Sequence, residues 1–311
     1  MFLLARLSAC HVLQVEELAR LPLGDGDLVA LFPPDGALRL FGQVPVQVVL
    51  GGGAAGEVPS VALSRDGDTD PLSCTLIENG NVADCGVIPD VPTDHDGIAL
   101  SVSAGDETMS AVALGRLPTP GLGWSLLEGT TFRRLGGNTD VLPVVNAQLA
   151  TSSSAFLALD GYNGAPGDYT MVAGPSGLQP DGGLAIAAPG LTFVVPVEVD
   201  DEGSVRGSTR AAWLPLPVNG ERAYLLLLDV EVTGKLYTDV LDDLVVNADL
   251  PAIAVQALAS SLGSGGNQVL ELVRFDVDRD GDGEGDAARV ELAGSPAPAT
   301  LEAWATLPES R

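Results

Sequence analysis

Basic residues are scarce: Lys plus Arg number 15 against 42 Asp plus Glu, Lys235 is the only lysine, and the net charge is −27. A surface of that sign repels phosphate backbones, which argues against a nucleic-acid partner, while the same field draws divalent cations and keeps a protein soluble in salt. Histidine is almost missing too. With His11 and His95 alone, a Ser or Cys nucleophile would depend on a single plausible base, and lysine chemistry would rest on Lys235. There is no Gly-x-Ser-x-Gly elbow, Gly-x-x-x-x-Gly-Lys phosphate loop or His-Glu-x-x-His helix. No apolar run after the N-terminus reaches the 18 or so residues of a membrane helix. Aromatic residues are only 5%, whereas Gly (38) and Pro (22) abound, a balance that favours many short strands joined by tight turns. What is present is enough to fold: 46% of the 311 residues are hydrophobic and mean hydropathy is +0.26, which excludes wholesale disorder.

Two of the three cysteines bracket an Asn79-Gly80 turn signal, so that Cys74 falls opposite Cys85 in a hairpin and a disulfide is expected. A four-residue loop from Glu78 to Asn81 puts this pair at the closer, non-hydrogen-bonded site, whereas a two-residue turn puts it at the wider one; the longer loop is expected. The third cysteine ends Leu7-Ser8-Ala9-Cys10. This stretch resembles the lipobox of bacterial lipoproteins, in which the cysteine carries a lipid anchor. The resemblance implies a protein of the cell envelope, an outer-membrane lipoprotein if Cys10 is lipidated, touching the membrane only through that anchor. The alternative is that residues 2–20 form an amphipathic helix.

From residue 23 onward, short apolar runs alternate with Gly, Pro, Asp and Asn. Runs at Leu28 to Phe32, Leu38 to Phe41, Val44 to Leu50, Val61 to Ser64, Ile98 to Val102 and Met109 to Leu114 suit a β-sandwich over residues 23–116, and Gly115 to Gly123 is the expected linker. A second sandwich is expected over 124–204, with runs at Val141 to Leu149, Ala155 to Leu159, Tyr169 to Ala173, Leu184 to Ala187 and Thr192 to Val199, closing in the polar stretch Asp200 to Arg210. A third block over 205–311 opens with Ala223 to Val232, apolar enough for burial on both faces. Short helices are expected within residues 239–262: one at Asp239 to Val246, the other capped by Asp249, with Pro251 second and Gly263 as the stop. The fold expected is mainly β, with tandem immunoglobulin-like sandwiches. Arg65-Asp66-Gly67-Asp68 with Ala104-Gly105-Asp106-Glu107-Thr108, and Gly167-Asp168-Tyr169 with Asp200-Asp201, show a weak similarity to Calx-β repeats, which implies calcium-binding acidic loops; a solvated turn is the simpler expectation for Asp200 and Asp201.

The segment from Asp276 to Asp286, Asp-Val-Asp-Arg-Asp-Gly-Asp-Gly-Glu-Gly-Asp, carries the chemistry. Carboxylates at alternate positions, with glycines where the backbone must turn, wrap a hard cation that takes six to eight oxygens. Without the cation, two such charges at 4 Å repel by about 4 kcal/mol at an effective dielectric of 20. Counting from Asp276 fails at the twelfth position, which is Ala287 where an EF-hand needs Glu. Counting from Asp278 places Asp280 third, Asp282 fifth, Gly283 sixth and Asp286 ninth, and this register resembles the calcium loops of thrombospondin type 3 and FG-GAP repeats. The resemblance implies Asp278, Asp280, Asp282 and Asp286 as side-chain ligands, Glu284 as a carbonyl donor and Asp276 as a possible addition. Asp66, Asp68 and Asp70 form a weaker second cluster.

With no His or nucleophile beside the loop, a bound ion would stabilise rather than activate. The expectation is a non-enzymatic, extracellular or cell-envelope calcium-binding protein with a structural, binding or adhesion role and a cell-surface protein or polysaccharide as partner. The alternative is a secreted carbohydrate-active enzyme or its accessory domain, whose paired carboxylates would meet only in the fold.

Overall fold

The computed structural model describes residues 26–77, 80–119, 122–137, 142–143, 145–147, 155–178, 184–186, 189–218, 221–261, 273–279, 281 and 283–300. Eight strands come first: β1 (Leu28–Phe32), β2 (Gly42–Leu50), β3 (Ser60–Arg65), β4 (Asp68–Leu72), β5 (Thr75–Leu76), β6 (Val82–Val91), β7 (Ile98–Ala104) and β8 (Glu107–Ala113). They form two four-stranded antiparallel sheets, β1-β2-β6-β5 and β4-β3-β7-β8. Period-two burial explains why: Val44, Val46 and Val48 on β2 and Ile98, Leu100, Val102 and Ala104 on β7 all enter one core, while Ser101 and Ser103 face out. The protein is thus mainly β, and these two sheets form a β-sandwich.

Cys74 and Cys85 are bonded, with Cα atoms 3.9 Å apart. The bond Ile77 N–H to Val82 O, 2.9 Å, closes the loop at residues 78–81. That is the longer loop, and counting outward from it leaves the cysteines at a non-hydrogen-bonded site, where side chains approach most closely. Glu78 and Asn79 themselves lie outside the described residues.

The second unit comprises β9 (Leu122–Ser125), β10 (Thr130–Leu135), β11 (Ala155–Asp160), β12 (Gly167–Leu178), β13 (Leu184–Ile186), β14 (Phe193–Val199), β15 (Ser204–Val218), β16 (Glu221–Tyr237), β17 (Val240–Pro251), helix α1 (Ala252–Ser261), β18 (Ala287–Gly294) and β19 (Ala297–Thr300). Apart from β13, which branches off β12, the strands follow the order β10-β18-β17-β16-β15-β14-β12-β11-β9-β19 in one sheet. The two ends of that order meet. β9 continues into β10 and β18 into β19, and the two bent ribbons stay paired through the corner by Ser295 N–H to Gly129 O and Ala297 N–H to Glu128 O. The sheet therefore closes into a barrel around an apolar interior lined by Leu126, Phe132, Leu157, Phe193, Leu227 and Leu292, among others. Closure removes exposed sheet edges.

Several expectations are corrected. The division at 204/205 falls inside this sheet, since Val199 pairs with Val205. The polar stretch ending at Arg210 begins β15, although Asp200 does form a solvated turn, accepting the Glu202 and Ser204 amides at 2.9 and 2.7 Å. Asp239 sits in a turn and Val240 to Val246 is strand, not helix, and Asp249 lies in β17 rather than at a helix cap. Leu244, Val246, Ala248 and Leu250 alternate inward, and pairing to β16 and β18 on either side overrides the local helical signal. Helix α1 does follow Pro251, within the expected range, while Gly263 lies outside the described residues. In the run Val141 to Leu149, positions 142–143 and 145–147 are helical rather than strand, and positions 141, 144, 148 and 149 lie outside the described residues. Positions 273–275 of the run Val269 to Phe275 are not in a strand, and positions 269–272 lie outside the described residues. Linker residues 122–123 belong to β9.

The two units share core. Trp213 of β15 donates its Nε1–H to Leu31 O at 3.0 Å, and its ring meets Phe32 edge-on at a centroid distance of 5.4 Å.

Candidate metal-binding loop

The acidic loop is tied off at its neck. Val277 N–H donates to Ala287 O at 2.9 Å and the Ala287 and Asp286 amides return bonds to Val277 O, so the two limbs of the loop are joined where β18 begins. Within the loop, Gly281 and Gly283 adopt φ of 79° and 91°, a region that penalises any side chain. At Gly285 a Cβ would lie 2.1 Å from Phe275 O, so the two limbs of the neck touch backbone to backbone.

Asp278 bends its carboxylate into the loop, where Oδ1 accepts the Gly281 amide at 2.7 Å and Oδ2 the Gly283 amide at 2.8 Å. Asp286 is buried at 4% exposure, and both of its oxygens accept the Arg279 amide at 3.2 Å. Its carbonyl receives the Ala252 N–H at the start of α1. Asp276 turns the other way: its carboxylate accepts the Arg289 amide at 3.1 Å and pairs with Arg134 at 3.2 Å, so the sheet takes it up. Glu284 stands exposed on the loop. Asp280 and Asp282 lie outside the described residues, and among the described residues no three His, Cys, Asp or Glu side chains converge on one point.

Behind the loop sits a cluster that the pattern of carboxylates did not announce. The Arg279 guanidinium, its side chain 14% exposed, reaches back to Asp229 at 2.6 Å and Asp249 at 2.8 Å, and Arg289 meets the other Asp249 oxygen at 3.1 Å. Asp229 is placed for this by a bulge in β16, where its φ is 47° and the register with β17 shifts. Burial pushes the Asp249 carboxyl above its usual value, and Arg289 and Arg279 only partly pull it back. The one signal in the sequence was a lone arginine among alternating aspartates.

The other candidates disperse. Asp66 and Gly67, with φ of 53° and 89°, make a two-residue hairpin turn between β3 and β4, and Asp66, Asp68 and Asp70 are all exposed. His95 places Nε2 on Leu40 O at 3.0 Å, within the junction between the two units. Trp124 and Trp213 are core residues, 1% and 5% exposed, and Trp304 and Cys10 lie outside the described residues.

No family model and no curated protein matches this chain. Among solved structures, a chimeric titin Z1Z2-Z1Z2 tandem carrying a GRGDS exogenous peptide from fibronectin aligns over 73% of this chain and 91% of its own, at 12% identity and a TM-score of 0.19. So slight a likeness assigns neither family nor function.

Proposed function

We propose that the chain is a non-enzymatic, calcium-binding β-protein of the extracellular space or cell envelope, serving as a structural or binding module whose ion stabilises the fold. One observation carries this: Asp278 and Asp286, first and ninth in the favoured register, lie in the same narrow-necked loop, held by its own backbone amides. Asp280 and Asp282 lie between them in sequence and would complete the set, with the Glu284 carbonyl as a further oxygen. Calcium suits such a set because it accepts many oxygens in flexible geometry. The Cys74–Cys85 bond accords with an oxidising compartment. The partner would be a cell-surface protein or polysaccharide, with any membrane attachment through lipid on Cys10.

Thermal melting in millimolar calcium and in EDTA tests the ion. The melting temperature is expected to be several degrees higher with calcium, and Asp280→Ala to abolish the difference; identical curves for the unmodified protein remove calcium from the account. Mass spectrometry of the protein from its host, showing Cys10 either acylated or unmodified, tests the anchor.

A further inference from the structure

We propose that residues 36–41 are an interlock that makes sandwich and barrel one cooperative unit of fixed relative orientation, so that loosening either unit loosens both. The segment is short, yet both its edges are hydrogen-bonded. On the sandwich side, Gly36 N–H meets Val112 O at 2.9 Å, Leu114 N–H meets Ala37 O at 2.9 Å and Leu40 N–H meets Leu114 O at 3.1 Å. On the barrel side, Leu38 and Leu191 exchange bonds of 3.1 and 2.8 Å, and Phe41 N–H meets Pro189 O at 3.0 Å. The β8 edge thus continues through the segment into the barrel wall.

The approach is too close for ordinary side chains. A Cβ on Gly190 would lie 2.5 Å from Arg39 O, and one on Gly174 would lie 2.4 Å from Gly190 O. Apolar burial follows the same line: Leu38 and Phe41 cover Phe156, Ala158 and Val172 on β11 and β12. Those residues alternate with Leu157, Leu159 and Met171, which belong to the main core, so β11 is buried on both faces, the second of them in a cluster to which the segment contributes Leu38 and Phe41. Polar groups pin the ends. The Arg39 guanidinium donates to Thr93 O and Gly115 O, His95 Nε2 lies against Leu40 O, and Arg116 of the connection holds both Asp160 oxygens on β11 at 2.9 and 2.8 Å. A barrel parted from this segment would expose an apolar strip and leave backbone groups unpaired, which is why the units have no stable separated arrangement.

Calorimetry of the full chain at fixed buffer composition tests the interlock. One heat-absorption peak is expected, with equal van 't Hoff and calorimetric enthalpies. Dithiothreitol, which opens the Cys74–Cys85 bond of the sandwich alone, is expected to lower the whole peak by about 5 to 10 °C. Gly190→Val is expected to split the peak, with only the lower part responding to dithiothreitol. Two peaks in the unmodified protein, of which the reductant moves one, overturn the proposal even where the variant fails to fold. So does a folded Gly190→Val protein that still melts and shifts as one.

Discussion

In the sandwich, a strand of two residues, β5, is held against β6 by a covalent bond between Cys74 and Cys85. In the barrel, an eleven-residue acidic excursion, residues 276–286, is held against β16, β17 and β18 by a partly buried charge cluster instead. The covalent tie is indifferent to pH and salt and responds to reductant. The ionic tie has the opposite sensitivities, and its weight rests on the buried member, because Asp229 remains 55% exposed while Asp249 is 5% exposed. The same task is therefore done by chain connectivity in one unit and by charge burial in the other.

The largest effect expected falls on the ionic side. Asp249→Ala leaves the Arg279 and Arg289 guanidiniums facing a buried gap and should cost about 3 to 5 kcal/mol in chemical denaturation, whereas Asp229→Ala, at the wet end, should cost less than about 1 kcal/mol. Equal costs for the two would show that burial does not set the contribution. Next comes the covalent tie: Cys85→Ser should cost about 2 to 4 kcal/mol under oxidising conditions and nothing further in reductant. A reductant-sensitive Cys85→Ser protein would mean that another bond carries the effect.

The smallest effect is a difference in sign with pH. For Asp160, burial would raise the carboxyl, but hydrogen bonds from the Arg116 guanidinium and the Thr119 amide outweigh it and leave it below the usual carboxylate value. Its stabilisation is present above the unfolded value near 4 and is lost as pH falls through the folded value. Asp249, raised by burial, behaves oppositely: its contribution is fully present below about pH 4 and is lost as pH rises through the folded value. Between pH 6 and pH 3, the advantage of the unmodified protein over Asp160→Asn should shrink, by about 1 kcal/mol or less given the exposed arginine. Over the same range its standing against Asp249→Asn should improve. Parallel trends in urea titrations would refute the contrast.

Short apolar runs bounded by turn residues were legible, and Leu28–Phe32 and Ser60–Arg65 fall within a residue or two of the runs that mark them. The cysteine hairpin was legible because a turn signal and two flanking cysteines constrain register together. Pairing across 204/205 was not, because β14 and β15 carry no local mark of belonging to one sheet. Asp239 to Val246 misled because acidic residues and apolar spacing of three and four suit a helix in isolation, while strands on both sides demand an extended chain. In the acidic loop, the alternation of Asp278 and Asp286 with glycines was visible, and Asp276 was separated from them only by the Arg134 and Arg289 contacts.

Residue order alone determined the β-rich character, the hairpin that could take a disulfide and the run of carboxylates, because each depends on neighbours within about a dozen positions. Tertiary structure decided closure of the long sheet, the seating of Arg279 between Asp229 and Asp249, and the covering of β11 by residues 36–41. Those contacts join positions between 30 and more than 100 residues apart. Nothing in the intervening chain encodes such pairings locally; they exist because burying both faces of a sheet requires distant segments to meet.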